Sequence, residues 1–240
     1  MLPTATSIPA TATSIPATAT SIPATATVVV ANSAFATDGS NDLAIGPALS
    51  GNLRTVELWV RPNANNANAV IVSQSSGSRG WSLELTSGRA TFWVADSAGT
   101  WRRAINSNVR LVANQWYHVA ATYDGTNARV YVNGNQGTSA NLRTLAPAGV
   151  LRVGGLGGFA FFNGQMDKLR ISSVVRYTAA FTAPGRFSSD VSTLALYHFD
   201  EGSGQVANDS SANVYHLSLG TSTGVDTADP GWISSTAPGR

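Results

Sequence analysis

From Val28 onward the chain is cut every few residues by glycine, asparagine or aspartate, and between the cuts apolar residues alternate instead of recurring at helical spacing. Such punctuation leaves no room for a long amphipathic helix and confines the chain to short strands joined by tight turns. Alternation sends successive side chains to opposite faces of a sheet, so an apolar face forms and must be covered. The predicted strands are Val28–Phe35, Leu53–Arg61, Ala69–Gln74, Trp81–Thr86, Ala90–Ala95, Trp116–Tyr123, Ala128–Val132, Val150–Val153, Gly164–Ser172 and Leu194–Phe199, with a further one at Tyr215–Leu219. Ser87-Gly88 predicts a tight hairpin, Asp124-Gly125-Thr126-Asn127 a second, and Asn133-Gly134-Asn135 ends the next strand. Val174–Phe181 has room for a single helical turn. Many short strands at this spacing read as a sandwich or a barrel.

The first 27 residues are of another kind. Pro9-Ala-Thr-Ala-Thr-Ser-Ile recurs at Pro16 and begins again at Pro23. A proline in every unit excludes a helical heptad, and β-branched Thr and Ile favour extended or polyproline-II backbone. Fully extended, such an arm spans ~90 Å, more than the width of one sandwich. Two readings stand. The tract is a flexible or O-glycosylated stalk, as Ser/Thr/Pro-rich tracts often are. Or it is a docking arm, with Thr11, Thr13, Ile15, Thr18, Thr20, Ile22 and Thr25 donated as a strand to a neighbouring copy, which would link subunits into a homopolymer.

Composition narrows the function. Only 12% of residues are charged, and Ser, Thr, Asn and Gly supply the polar surface, as is common on extracellular β proteins. Lys168 is the only lysine and Arg102-Arg103 the only adjacent basic pair, so there is no basic stripe for nucleic acid. The absence of cysteine excludes disulfides and thiol chemistry. No apolar run approaches a membrane span, and Met1 opens no ordinary signal peptide.

Trp116-Tyr-His-Val-Ala-Ala-Thr-Tyr-Asp-Gly followed by Ala128-Arg-Val-Tyr-Val-Asn-Gly134 resembles the signature hairpin of laminin-G-like and pentraxin-like jelly rolls. Phe35–Asp42 resembles that family's first core strand and turn, Thr55–Pro62 the next long strand, and Gly164–Ile171 the closing strand. The resemblance covers residues 28–220 and implies an all-β, antiparallel jelly-roll sandwich of the concanavalin A-like kind. Leu196–Gly204 with Asp209–Asn213 is also family-like, but it follows the closing strand, which points to a tandem array or to a strand completing a sandwich across a boundary. Pro230-Gly-Trp-Ile reads as a terminal latch. The expected division is a 1–27 arm and a 28–240 jelly-roll domain.

Among candidate chemistries, glycoside hydrolysis needs two facing carboxylates ~5–10 Å apart. Glu57 and Glu84 are isolated in separate strands, and His118, His198 and His216 lack a serine elbow, so no catalytic residue is expected. The resemblance implies a structural calcium held by Asp38, Asp42 and Asp167; alternatively Asp38 caps its turn and Asp167 bonds backbone. The loop Gly154–Asn163 lacks the carboxylates of a pentraxin-type ligand calcium. That loop instead carries Phe159, Phe161 and Phe162, and adjacent Phe161 and Phe162 cannot both point inward in a regular strand. One of these, or Trp101 beside Arg102-Arg103, is a candidate protein contact or sugar platform; the alternative for both is core or edge packing. Two functions follow: a bacterial-type, cell-surface filament subunit joined by its arm, or a carbohydrate-binding or adhesion module of a larger surface protein. The repeated arm puts the first ahead on sequence alone.

Overall fold

In a computed structural model of the chain, residues 32–64, 68–96, 98–106, 108–141 and 148–239 are described. The arm positions Thr11, Thr13, Ile15, Thr18, Thr20, Ile22 and Thr25 lie outside the described residues, as does 28–31 of the first predicted strand.

The described residues form sixteen strands and no helix. The first half comprises β1 (Ser33–Asp38), β2 (Ala44–Gly46), β3 (Thr55–Pro62), β4 (Asn68–Ser76), β5 (Arg79–Thr86), β6 (Arg89–Ala95), β7 (Trp101–Ile105) and β8 (Tyr117–Tyr123). The second comprises β9 (Asn127–Val132), β10 (Asn135–Asn141), β11 (Leu151–Val153), β12 (Asn163–Ser172), β13 (Thr193–Tyr197), β14 (Val206–Ala207), β15 (Leu217–Leu219) and β16 (Gly231–Ser234). They make two antiparallel sheets. One runs β10-β9-β8-β3-β12-β1-β16, and the other β14-β15-β2-β11-β4-β5-β6-β7. The predicted sandwich is therefore present.

In the first sheet β12 is long enough to serve two partners along one edge. Its first half pairs with β1, from Asp38↔Asn163 to Phe35↔Met166, and its second half with β13, from Leu169↔Tyr197 to Ser172↔Thr193. The family-like segment at Leu196 thus completes this same sheet. The predicted latch is β16, which pairs with β1.

The core follows from the alternation. Val56, Leu58 and Val60 of β3 meet Trp81, Leu83 and Leu85 of β5 and Phe92 and Val94 of β6 between the sheets. The opposite face of the first sheet is covered too, by the irregular segment 173–192. Trp59, Phe187, Leu196 and Ala237 form a second apolar cluster there. Both faces of β3 and β8 are consequently buried. The helical turn expected at Val174–Phe181 does not form; instead Tyr177 stacks flat on Phe181, with ring centres 3.5 Å apart.

At one side of the sandwich the two edge strands β7 and β10 are tied by side chains. Thr138 Oγ1 donates to the Ile105 carbonyl at 2.7 Å, and Asn106 Nδ2 to the Asn135 carbonyl at 3.1 Å. No helix among the described residues is long and apolar enough to cross a membrane. Among the described residues no segment like 173–192 covers the outer face of the second sheet across β5, β6 and β7, where Trp93 and Trp101 are only partly buried and Arg103 is exposed.

Candidate functional site

Two groups of polar side chains stand out, one on the outside of each sheet. Beneath the 173–192 strap, Glu57 is wholly buried and accepts bonds from Arg170 (Nε 2.9 Å and a terminal nitrogen 2.6 Å) and from the Tyr177 hydroxyl (2.7 Å). His118 Nε2 lies 3.2 Å from the same carboxylate, and its ring sits edge-on to Trp59, Phe181 and Phe187. Burial works against the Glu57 charge, yet the bond with His118, the Arg170 cation and the Tyr177 phenol outweigh it and hold the carboxyl below its ordinary range. Burial and the Glu57 charge push the Tyr177 phenol up, so it stays protonated and donates. Glu57 and His118 are both wholly buried, so this network fastens the strap and touches no solute.

The second group borders solvent: Arg103 is exposed, Trp93, Trp101 and Glu84 are partly buried, and Ser82 is buried at its floor. The Ser87-Gly88 turn sets the β5–β6 register, with Ser82 opposite Trp93 and Glu84 opposite Thr91. Residues directly opposite share a face. Since Trp81, Leu83 and Leu85 point into the core, Ser82 and Glu84 point out. Edge strand β7 adds Arg103 opposite Trp93, and Trp101 opposite Ala95. Ser82, Glu84, Trp93, Trp101 and Leu156 line a depression of about 190 Å³. Arg103 lies over the Trp93 ring, 5.1 Å from its centre. Ser82 Oγ lies 3.3 Å from Glu84 Oε1. Burial pushes the Glu84 carboxyl up to about 7, against the lowering effect of Ser82 and Arg103. This arrangement offers two flat indole surfaces and a carboxyl that both accepts and donates near neutral pH.

A second depression, of about 420 Å³, lies across the glycine-rich loop 154–160 and is lined by Asn41, Ile45, Arg152, Phe161, Asp226 and Thr227 among others. The loop is moored at its base, where Gly154 N donates to the Ile71 carbonyl at 2.8 Å and Val70 N to the Ala160 carbonyl at 2.7 Å. Its three phenylalanines part company. Phe162 is in the core, Phe161 lines the larger depression, and Phe159 stands at the crest, 62% exposed.

The three aspartates expected for calcium do not converge. Asp38 and Asp42 are adjacent, and both serve the one 38–42 turn. The Asp38 carboxylate accepts from Ser40 N (2.7 Å) and Oγ (2.6 Å), and Asp42 Oδ2 accepts from Asp38 N at 2.7 Å. Asp167 bonds Ser235 Oγ at 2.6 Å. It stands four ladder positions from Asn163, the partner of Asp38, or ~13 Å along the strand. Among the described residues no three acidic or histidine side chains gather to hold a metal ion. As a set, Asp38, Asp42 and Asp167 do not fit one calcium ion. The turn-capping alternative describes Asp38, while Asp167 bonds a side chain.

Sequence reasoning named Trp101 and the loop phenylalanines but missed Trp93, Ser82 and Glu84 as parts of one surface. The Ser87-Gly88 turn was the available signal, because it fixes Ser82 against Trp93.

A family model described as the concanavalin A-like lectin/glucanases superfamily matches residues 32–180, more than half of the chain. The chain belongs to this superfamily. No curated protein matches it closely. Among solved structures, a candidate carbohydrate binding protein from Bacteroides ovatus ATCC 8483 is similar, with a TM-score of 0.61 and 18% identity over 88% of this chain and 62% of that one. The present chain thus spans less than two thirds of that protein. The heptameric SAP-like pentraxin from Limulus polyphemus is similar with a TM-score of 0.50 and 16% identity, over 81% of this chain and 97% of that one. At these identities the likeness concerns the fold. Within the superfamily's sandwich, the Trp93–Trp101 depression lies on the uncovered outer face of the second sheet.

Proposed function

We propose that this lectin-like sandwich is a non-catalytic carbohydrate-binding module working outside the cell or at its surface. The observation that carries the reading is the meeting of Trp93 and Trp101 with Ser82 and Glu84 in one solvent-facing depression. A pyranose ring has an apolar C–H face and a rim of hydroxyls. An indole ring offers apolar area at little conformational cost, and polar groups at its side fix orientation. Catalysis has no support in the two strand glutamates. Glu57 lies on the outer side of one sheet and Glu84 on the outer side of the other, with the core between them. The shared fold of the Bacteroides ovatus protein is consistent with saccharide binding.

The test is a glycan array followed by calorimetric titration of the best ligand. Trp101→Ala and Trp93→Ala are each expected to weaken binding by about tenfold or more, because central aromatic contacts dominate such interfaces. Trp101 lies on an edge strand and is half-buried, so its variant is expected to keep the wild-type melting temperature. Undiminished binding in both folded variants refutes the reading.

A second reading, head-to-tail assembly by donation of the arm as a strand, draws on the Thr/Ala alternation of the repeat and on one open edge. β16 ends the first sheet and pairs only with β1 among the described residues. Electron microscopy of the full chain beside a chain lacking residues 1–27 tests it: filaments that persist without the arm refute it.

A further inference from the structure

One row of directly opposed residues crosses the second sheet. Ile45 faces Arg152, Arg152 faces Ser73, Ser73 faces Ser82, Ser82 faces Trp93, and Trp93 faces Arg103. The row runs over β2, β11, β4, β5, β6 and β7, and opposed residues share a face, so all six lie on the outer side of the sheet, with Ser73 and Ser82 buried there. Its Trp93 end lies in the smaller depression and its Ile45–Arg152 end in the larger one. Arg152 and Trp93 are three strand spacings apart, ~14 Å, which is the reach of a short oligosaccharide and not of a single ring.

The glycine-rich loop crosses this row. Leu156 borders the smaller depression, and a side chain at Gly157 would come within 3.1 Å of Arg152 Nε. Ser73 lies in the interval between them, fully buried, and its hydroxyl has no hydrogen-bond partner among the described residues. A buried hydroxyl without a partner costs free energy, but Ser73 lines neither depression, so it links the two only by its place in the ladder.

The larger depression has the chemistry of a polyol site. Arg152 donates, the Asp226 carboxylate accepts, and Asn41 and Thr227 do both. Phe161 and Ile45 provide an apolar wall. Arg152 and Asp226 carry opposite charges within the lining. Asp42 and Asp229, chain neighbours of the lining residues Asn41 and Ala228, interact electrostatically with each other and add negative charge nearby, which disfavours a carboxylate or sulfate ligand. A neutral sugar, each hydroxyl of which is both donor and acceptor, meets every group with its complement.

We infer that the Arg152 depression is a second saccharide subsite, and that the two depressions together hold a neutral oligosaccharide laid along the row astride the glycine-rich loop. The inference rests on the proposal that the Trp93–Trp101 depression binds carbohydrate.

Calorimetric titration with neutral gluco-, manno- and galacto-oligosaccharides of increasing length, beside a uronate-containing ladder, provides the test. In the wild type, affinity is expected to step up by about tenfold or more once the ligand reaches both depressions, as linked sites do. Arg152→Ala, and Thr227→Trp, which plugs the mouth of the larger depression, are expected to erase that step and leave short-ligand affinity unchanged. Three results overturn the inference: no step in the wild type, a step that survives both variants, or tighter binding of the uronate ladder. The parent proposal is read separately. If Trp101→Ala abolishes short-ligand binding while the Arg152 variant changes nothing, only the second subsite fails. If Trp101→Ala and Trp93→Ala change nothing at any length, both fail.

Discussion

Arg170 reaches one oxygen of Glu57 with two nitrogens, Nε at 2.9 Å and a terminal nitrogen at 2.6 Å, in a place where the carboxylate has no exposure to water. Removing the cation leaves an uncompensated buried charge, so Arg170→Ala is expected to cost about 3–5 kcal/mol. The pH dependence follows from the lowered Glu57 carboxyl. A depressed folded-state value means that this stability is present above the unfolded value near 4.5 and is lost as pH falls through the lower folded value. Urea unfolding across the acid range should show that loss in the wild type and a flatter profile in Glu57→Gln.

Glu84 has the opposite sign. Its carboxyl is raised to about 7, so the folded chain holds a proton there that the unfolded chain releases near 4.5. Its contribution is full below the unfolded value and is lost as pH rises through about 7. Saccharide binding should track the same titration, strengthening as the carboxylate forms and becomes a better acceptor. Calorimetry on either side of neutrality checks this. Glu84→Gln should remove the pH dependence of binding and the loss of stability between about 4.5 and 7, while leaving the acid-range dependence set by Glu57.

Phe162 and Phe159, three residues apart, divide structure from surface. Phe162→Ala empties a fully buried site and is expected to cost about 3–5 kcal/mol. Phe159→Ser acts on a residue 62% exposed and is expected to stay within about 0.5 kcal/mol. Denaturant midpoints decide.

Gly134 has a positive φ of 77°, and a Cβ there would lie 1.7 Å from the Phe181 carbonyl oxygen. Gly134→Ala must dislodge the strap, so a loss of about 2 kcal/mol or more is expected. Gly224→Ala, where a Cβ meets open space, is the control and should be near neutral. Thermal melts of the pair provide the measurement.

Asp38 and Asp42 brace one turn and Asp167 bonds Ser235 elsewhere, so chelation should not loosen the fold. Melting in EDTA and in millimolar calcium is expected to give the same midpoint. A rise with calcium would place an ion in this chain.

The buried strands were legible because their apolar alternation is unbroken. Tyr117–Tyr123 and Arg89–Ala95 could hardly be anything else. β10, with the sequence NQGTSAN, was not, since an exposed edge strand has no apolar face to declare itself. β7 hid for the same reason behind Arg102-Arg103. The parting of Phe161 from Phe162 followed from strand geometry. Which outer face stays open did not. That depends on residues 173–192, whose aromatic contacts to His118 and Tyr131 are long-range and leave no period in the sequence.

Asn32 and Ser235 exchange two hydrogen bonds, the Ser235 amide to the Asn32 carbonyl at 2.8 Å and Asn32 Nδ2 to the Ser235 carbonyl at 2.7 Å. The start of β1 and the end of β16 therefore lie side by side, and residues 236–239 run on from there to pack by Ala237 against Trp59 and Phe187. Tension applied through those ends loads the β1–β16 ladder one rung at a time, like a zipper, instead of shearing all its bonds together. Tethered at one end and free at the other, the sandwich feels no such load. Stretched between two anchors, it is loaded first at the 236–239 contacts and then along this seam.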